Sequence, residues 1–372
     1  MYLFRLLSAL ATIALVTADC ECGYRARNST RHDEEWMFTE ALETDFSGVH
    51  DLSENTNWIR QGFNVSAEDG RGGFGKSFKP SNVEARPASA GSIDGNANDA
   101  GVSLRVSSTI EDNLVLSAEL DSSRLDLHWG SYRASMKLPQ IPGTCAAFFW
   151  YFNDTQEIDM EFLSAHFDRT NNIYPLSLVV QSRQSKKAGY DATKTGTYRR
   201  VNLTFDPTVD FHEYRIDYLP GKVAFYADSQ LLAVMQGDEM PTVGGHMILQ
   251  HWSNGNPLWS GGPPKSDSLM IVRYVKAYFN SSDPDHLKDQ MAACHNEGMA
   301  LKDTCLIPDG TAGDAVSGGK FFLKTTDATI KETENSDNNR SDRERGGATS
   351  SRAGGITQCG FALAMVLFLL EA

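Results

Sequence analysis

Residues 157–163 read EIDMEFL, and their alternation sets the fold class. Successive side chains of a β-strand point to opposite faces, so Glu157, Asp159 and Glu161 share one face while Ile158, Met160 and Phe162 share the other. Gathering like charges on a rigid strand is unfavourable unless the charges are used, because neighbouring carboxylates repel and push each other's pKa values apart. The same effect makes an acid and a nucleophile out of one chemical group. An ordinary amphipathic strand with a solvated acidic face would show the same alternation, so the surrounding chain must decide between the two.

Outward from this stretch the chain keeps one texture. Short apolar-alternating runs occur at Leu114 to Leu120, Tyr132 to Leu138, Ala146 to Phe152, Leu176 to Ser182, Phe211 to Tyr218, Val223 to Ala227, Met247 to Trp252 and Met270 to Phe279. Turn chemistry separates them at Pro139 to Gly143, Pro220–Gly221 and Asn254 to Pro257. Many short strands with almost no helix-period pattern indicate an all-β protein, an antiparallel sandwich or barrel. Residues 45–100 are less regular and predict an edge strand with long loops, and Asp285 to Ala293 predicts one short helix.

With 48 acidic against 34 basic side chains, the net charge of -14 argues against a nucleic-acid partner and against a polybasic membrane patch. A neutral, sugar-like substrate meets no such obstacle. Residues 1–18, with Arg5, an apolar core from Leu6 to Val16 and a small-residue exit, predict a secretory signal peptide. Residues 356–372 contain the apolar run Phe361 to Leu370, too short to span a bilayer as a helix. With the small residues Gly346 to Ser351 before it, this run predicts a glycosylphosphatidylinositol (GPI) anchor signal. The expected organisation is therefore a leader (1–18), one β domain (19–285), a cysteine-bearing extension (286–308), a disordered Gly/Ser/Thr-rich stalk (309–355) and the anchor signal. The protein is expected to be a monomer at the cell surface or cell wall, touching membrane through that anchor only.

Cys359 would leave with the tail, so Cys20, Cys22, Cys145, Cys294 and Cys305 remain, an odd number in an oxidising compartment. One must be free or paired with another molecule. Cys294 and Cys305 could close a small loop, but spacing alone does not set connectivity. No Cys/His cluster has zinc spacing, and neither a metal nor another cofactor is expected. Six Asn-x-Ser/Thr sequons suit a glycosylated surface protein, and a glycan on Asn153 would stand just before the acidic strand.

Four blocks, taken in order, resemble glycoside hydrolase family 16. They are WGSYRASMKLPQIPGTCAAFFWYF from Trp129, EIDMEFL itself, FHEYRIDYLPGKVAFYADSQLL from Phe211 and HMILQHWSNGNPLWSGGPP from His246. The resemblance implies a concanavalin A-like β-jelly roll of two antiparallel sheets and retaining cleavage or transfer at a β-glycosidic bond. It also implies that Glu157 is the nucleophile, that Asp159 supports it and that Glu161 is the general acid and base. The uninterrupted ExDxE places the chain with lichenase-like and transglycosylase-like branches. Gln156 departs from the Asp often found before the motif, which bears on how the nucleophile is oriented. Four residues of strand span roughly 13 Å, and two inward-leaning Glu side chains can close much of the gap towards the roughly 5 Å that retention needs. Asp159 between them is expected to raise the pKa of Glu161.

Sugar rings need flat apolar platforms. Trp252 and Trp259 are the candidates, with Asn254 as a hydroxyl partner and Trp150 as a further substrate contact; Trp129 is a weaker one, and His251 reads as structural. The leading function is endo-hydrolysis of a β-1,3 or mixed-linkage β-glucan. Glucan or chitin-to-glucan transfer is the alternative within the enzyme class. A lectin on the same fold would be expected to lose a catalytic carboxylate, and none is lost. A calcium site is disfavoured because alternating strand residues do not wrap a cation.

Overall fold

The computed structural model describes residues 20, 22–27, 35–88, 99–286, 288 and 304–323. Within them the predicted runs form two large sheets stacked as a sandwich. The first sheet has the order Tyr198–Asn202, Pro175–Gln181, Gln156–Leu163, Cys145–Asn153, His246–Trp252, Leu114–Ser122, Gly75–Phe78 and Phe63–Val65, with Trp58–Arg60 and Ile110–Glu111 also pairing to Leu114–Ser122; it holds ten strands. The second, of eight strands, has the order Gln230–Gln236, Lys222–Ala227, His212–Leu219, Leu127–Lys137, Ser268–Ser281, Gly101–Val106 and Val83–Arg86, with Glu40–Asp45 on Ser268–Ser281. Pairing is antiparallel in both, except where Leu114–Ser122 runs parallel to Gly75–Phe78.

Strand period two builds the core. Phe148, Trp150, Ile158, Met160, Phe162 and Leu249 from the first sheet meet Leu104, Tyr132, Tyr214, Ile216, Phe225, Val272 and Val275 from the second. Burying each large apolar side chain contributes about 1.5–3 kcal/mol. Gly221 closes the hairpin between His212–Leu219 and Lys222–Ala227 at a φ of +66°, a conformation that costs glycine nothing. The next hairpin is closed by Asp228 and Ser229, both left-handed, which matches the twist of the strands they join.

Residues 309–323, expected to be disordered, are instead ordered. Residues 309–323 lie against the second sheet, and Ala312–Ser317 is a short helix capped by Thr311 and Asp314. Arg133 donates to the Pro308 carbonyl at 2.7 Å, Ser135 to Ala315 at 2.8 Å, and the Lys276 ammonium to Gly318 and Lys320 at 2.7 and 2.9 Å. Glu43 accepts from the amides of Phe322 and Leu323 at 2.7 and 2.8 Å. The segment is ordered by these side chain-to-backbone hydrogen bonds together with apolar packing, Ala315 being buried with Phe211 and Ile271 and Phe322 lying against Tyr24 and Tyr278.

Cys305 pairs with Cys20 across 285 residues, not with Cys294. Cys22 is also disulfide-bonded, and Cys145 is free and buried. Residues 284–286 open the predicted short helix. The expected leader, Cys294, the rest of the expected stalk, Cys359 and the C-terminal apolar run lie outside the described residues.

Candidate active site

Ile158, Met160 and Phe162 turn into the sandwich, so Glu157, Asp159 and Glu161 occupy the outer face of the first sheet. They stand opposite Tyr151, Phe149 and Ala147 on one neighbouring strand and Gln181, Val179 and Ser177 on the other. All three are buried, at 2%, 6% and 7% exposure. Glu161 Oε1 accepts from Trp259 Nε1 at 3.4 Å and lies 3.7 Å from Cys145 Sγ. Asp159 is hydrogen-bonded to Glu157.

Burial pushes Glu157 up to about 8 and Glu161 up to about 7. Asp159 is held well above its ordinary value, by burial first and then by the charges of both glutamates, and its hydrogen bond to Glu157 favours the protonated form. Asp159 therefore holds a proton and donates it towards Glu157. Its hydrogen bond goes to Glu157, whose pKa it lowers, while it meets Glu161 through charge alone. Against burial, the Asp159 hydrogen bond and the Lys76 charge lower Glu157. Gln156 accepts from the Thr242 amide at 3.0 Å.

The structure separates the sequence-derived binding residues. Trp259 reaches the acidic strand directly through its indole N–H. Trp252 stands on the same outer face, opposite Cys145, with the Lys76 ammonium 4.4 Å from its ring centroid. Trp150 is not a binding residue: its parity along Cys145–Asn153 turns it into the core, where its indole N–H donates to Leu127 at 2.8 Å. Asn254 is a clamp instead of a hydroxyl partner. It is fully buried, donates to the Gly70 carbonyl at 2.6 Å and accepts from Ser260 at 2.8 Å and Asn256 at 3.1 Å. Its backbone carbonyl also binds Phe74, so the 254–261 loop is locked to the 66–74 loop. Trp129 stacks on His128 at 4.2 Å, and His251 is a buried structural residue bonded to Leu104 at 2.9 Å.

Two further contacts cross the outer face. Asn256 holds the Arg71 carbonyl at 3.0 Å, and the Arg71 guanidinium lies 5.1 Å over the Tyr190 ring. Tyr190 and Tyr151 both donate to Asp154 in the turn before Glu157, at 3.4 and 2.9 Å. The loop tied to the Glu161 end is thereby linked to the turn beside Glu157.

Sequence reasoning missed polar residues on the same sheet, beyond two intervening strands from the acidic strand. Glu119 and Asp121 alternate on Leu114–Ser122 as the triad does on its own strand, and that alternation was the available signal. Gln250 donates to Glu119, and Asp121 lies 3.9 Å from His246. Burial raises Glu119 to about 7, and burial together with the Glu119 charge holds Asp121 well above its ordinary value. Lys76, in the stretch FGKSF, carried no signal in the sequence. Away from this face, Glu40, Asp126 and His286 gather within 4.8 Å, but Arg124 pairs with both carboxylates and supplies the positive charge there.

The family model for glycosyl hydrolases family 16 matches residues 94–269. The beta-glucanase of Bacillus licheniformis is 28% identical over 159 residues, covering 40% of this chain and 58% of that protein. A probable xyloglucan endotransglucosylase/hydrolase of Arabidopsis thaliana is 29% identical over 139 residues, covering 36% of this chain and 38% of that protein. The chain thus spans less than two thirds of the length of these relatives. Among solved structures, the endo-beta-1,3-glucanase from Pyrococcus furiosus aligns over 66% of this chain and 95% of that one, at 18% identity and a TM-score of 0.49.

Proposed function

We propose that this chain, which carries a domain of glycosyl hydrolases family 16 across residues 94–269, cleaves internal β-glycosidic bonds of a β-1,3 or mixed-linkage β-glucan with retention of configuration. The observation that carries the reading is the one-sided triad. Glu157 receives a hydrogen bond from Asp159, and Glu161 is held by the Trp259 indole. A Glu157 oxygen attacks the anomeric carbon as the glycosidic C–O bond breaks and Glu161 gives its proton to the leaving oxygen. Glu161, now a carboxylate, takes a proton from water as that oxygen attacks the same carbon and releases Glu157. Two inversions give net retention.

Transfer to a second sugar is the alternative fate of the same intermediate. The linkage from the 254–261 loop through Arg71 and Tyr190 to Asp154 favours it, since loops joined across the acidic strand restrict water at the ester. The expected result with lichenan and laminarin is mainly shorter oligosaccharides whose new ends carry the β configuration by NMR. Labelled gluco- or chito-oligosaccharide entering long chains, with little new reducing sugar, would replace hydrolysis by transfer. Inverted products would sink the Glu157 nucleophile outright.

The chain acts as a monomer at the cell surface in this reading, with a cleaved leader and a lipid anchor replacing the C-terminal apolar run. The Cys20–Cys305 disulfide supports an oxidising compartment. Phosphatidylinositol-specific phospholipase C is expected to release the protein from membranes as a chain lacking Cys359. An intact Phe361 to Leu370 tail, found by mass spectrometry, would rule the anchor out.

A further inference from the structure

Lys76 is a buried cation on a floor of carboxylates. It sits on Gly75–Phe78, paired with Val115 on one side and Val65 on the other, and is 2% exposed. Among the described buried residues it is the one Lys or Arg on the first sheet; Arg133, Arg215 and Lys276 all belong to the second. Its ammonium lies 4.4 Å from the Trp252 ring centroid and 5.8 Å from that of Phe78. The 66–74 loop closes on its stem, since a Cβ at Gly70 would stand 3.7 Å from Lys76 Cε. The titratable groups whose charges act on it come from three strands: Glu119 on Leu114–Ser122, Cys145 on the next strand but one, and Glu157 and Glu161 on the acidic strand. Burying an ammonium is costly unless fixed partners replace water, and here the partners in contact are the ring faces of Trp252 and Phe78, with the carboxylates acting through charge at longer range.

We propose that Lys76 is a positioning residue for glycosyl transfer, its buried ammonium, seated on Trp252, offsetting the negative charge that the floor carboxylates concentrate beside the reacting bond; the proposal rests on the glycosidase reading above. Three facts support it together. Trp252 stands directly opposite Cys145, whose thiol lies 3.7 Å from Glu161, so two residues, Trp252 and Cys145, link Lys76 to the acid/base. The Lys76 charge acts to lower both Glu157 and Glu161. Burial in turn lowers Lys76 to about 8, so the cation itself weakens just above neutrality. Losing it leaves Glu157 opposed by Glu161 and Asp154 with only the Asp159 hydrogen bond in its favour.

The test is the pH profile of kcat/KM on the best β-glucan for wild type, Lys76→Met and Lys76→Arg. Removing a nearby positive charge disfavours ionised carboxylates, so Lys76→Met should move the acidic limb up by about one pH unit, and Lys76→Arg should return most of the shift. A purely structural lysine would instead lower activity equally at every pH, and Arg would rescue no better than Met; that outcome overturns the proposal. In the wild type, the Lys76 ammonium followed by NMR should titrate near 8. Titration below neutrality, which would leave an uncharged amine at working pH, overturns the proposal even if the Met variant does not fold. If the wild type cleaves or transfers no β-glucan at any pH, the functional reading falls. The effect of Lys76→Met on the Glu157 and Glu161 carboxyl titrations, read by carbon NMR, then judges Lys76 alone, and unmoved carboxyls reject it.

Discussion

Glu157→Gln and Glu161→Gln should each lower turnover on a β-glucan by at least about a hundredfold while leaving the domain folded, because each removes a carboxyl that makes or breaks a bond in the reaction. Folding is not at risk for an electrostatic reason. Both carboxyls are raised by burial, so each favours the folded state only below its unfolded value of about 4.5 and loses that contribution as the pH rises through about 8 for Glu157 and about 7 for Glu161. A neutral amide escapes this cost. Glu157→Gln is therefore expected to melt higher than wild type at pH 8 and to show no such gain at pH 4. Azide separates the roles: an Ala variant at 157 should recover turnover with an α-configured azide product, and one at 161 with a β-configured product. Near-normal turnover in folded Glu157→Gln, at any pH, would remove Glu157 from the mechanism.

A chain ending at residue 303, or one carrying Cys20→Ser with Cys305→Ser, should be strongly destabilised although neither change touches the acidic strand. The disulfide closes a sequence separation of 285 residues, and losing such a cross-link costs about 2–5 kcal/mol. For a domain of this size that corresponds to a fall in Tm of about 5–15 °C. Truncation adds the loss of the backbone acceptors of Arg133, Ser135 and Lys276 and of the amides bound by Glu43. These groups line the outer face of the second sheet, the side of the sandwich away from the triad. Activity per folded molecule at low temperature should accordingly stay close to wild type. A Tm within about 1 °C of wild type for the truncated chain would show that the segment is an ornament on a domain already complete.

Much of this molecule was readable residue by residue. Strands such as Cys145–Asn153, Gln156–Leu163 and His246–Trp252 fall within a residue of the predicted runs, because one face of each is buried in the core and the alternation is correspondingly clean. Gln230–Gln236 was missed: it is an edge strand with mostly exposed side chains, and its turn is Asp228–Ser229 without the glycine that usually announces a hairpin. Tyr198–Asn202 was missed for the same reason, being the other sheet's edge and largely exposed.

What the sequence determined by itself is local and periodic: an all-β sandwich, and three carboxylates on one face of one strand. Those follow from a period of two, which needs no knowledge of the rest of the chain. The tertiary structure alone decided which groups meet that face. Trp150 went to the core and Asn254 to a loop clamp, Trp259 came 98 positions along the chain to Glu161, and Lys76 arrived from a strand whose only connection to the acidic strand is the sheet order. Cys305 likewise passed over its near neighbour in sequence for Cys20. Pairings of this kind are set by sheet order and by loops locked to each other across the sheet, and neither quantity is written in the spacing of residues along one strand.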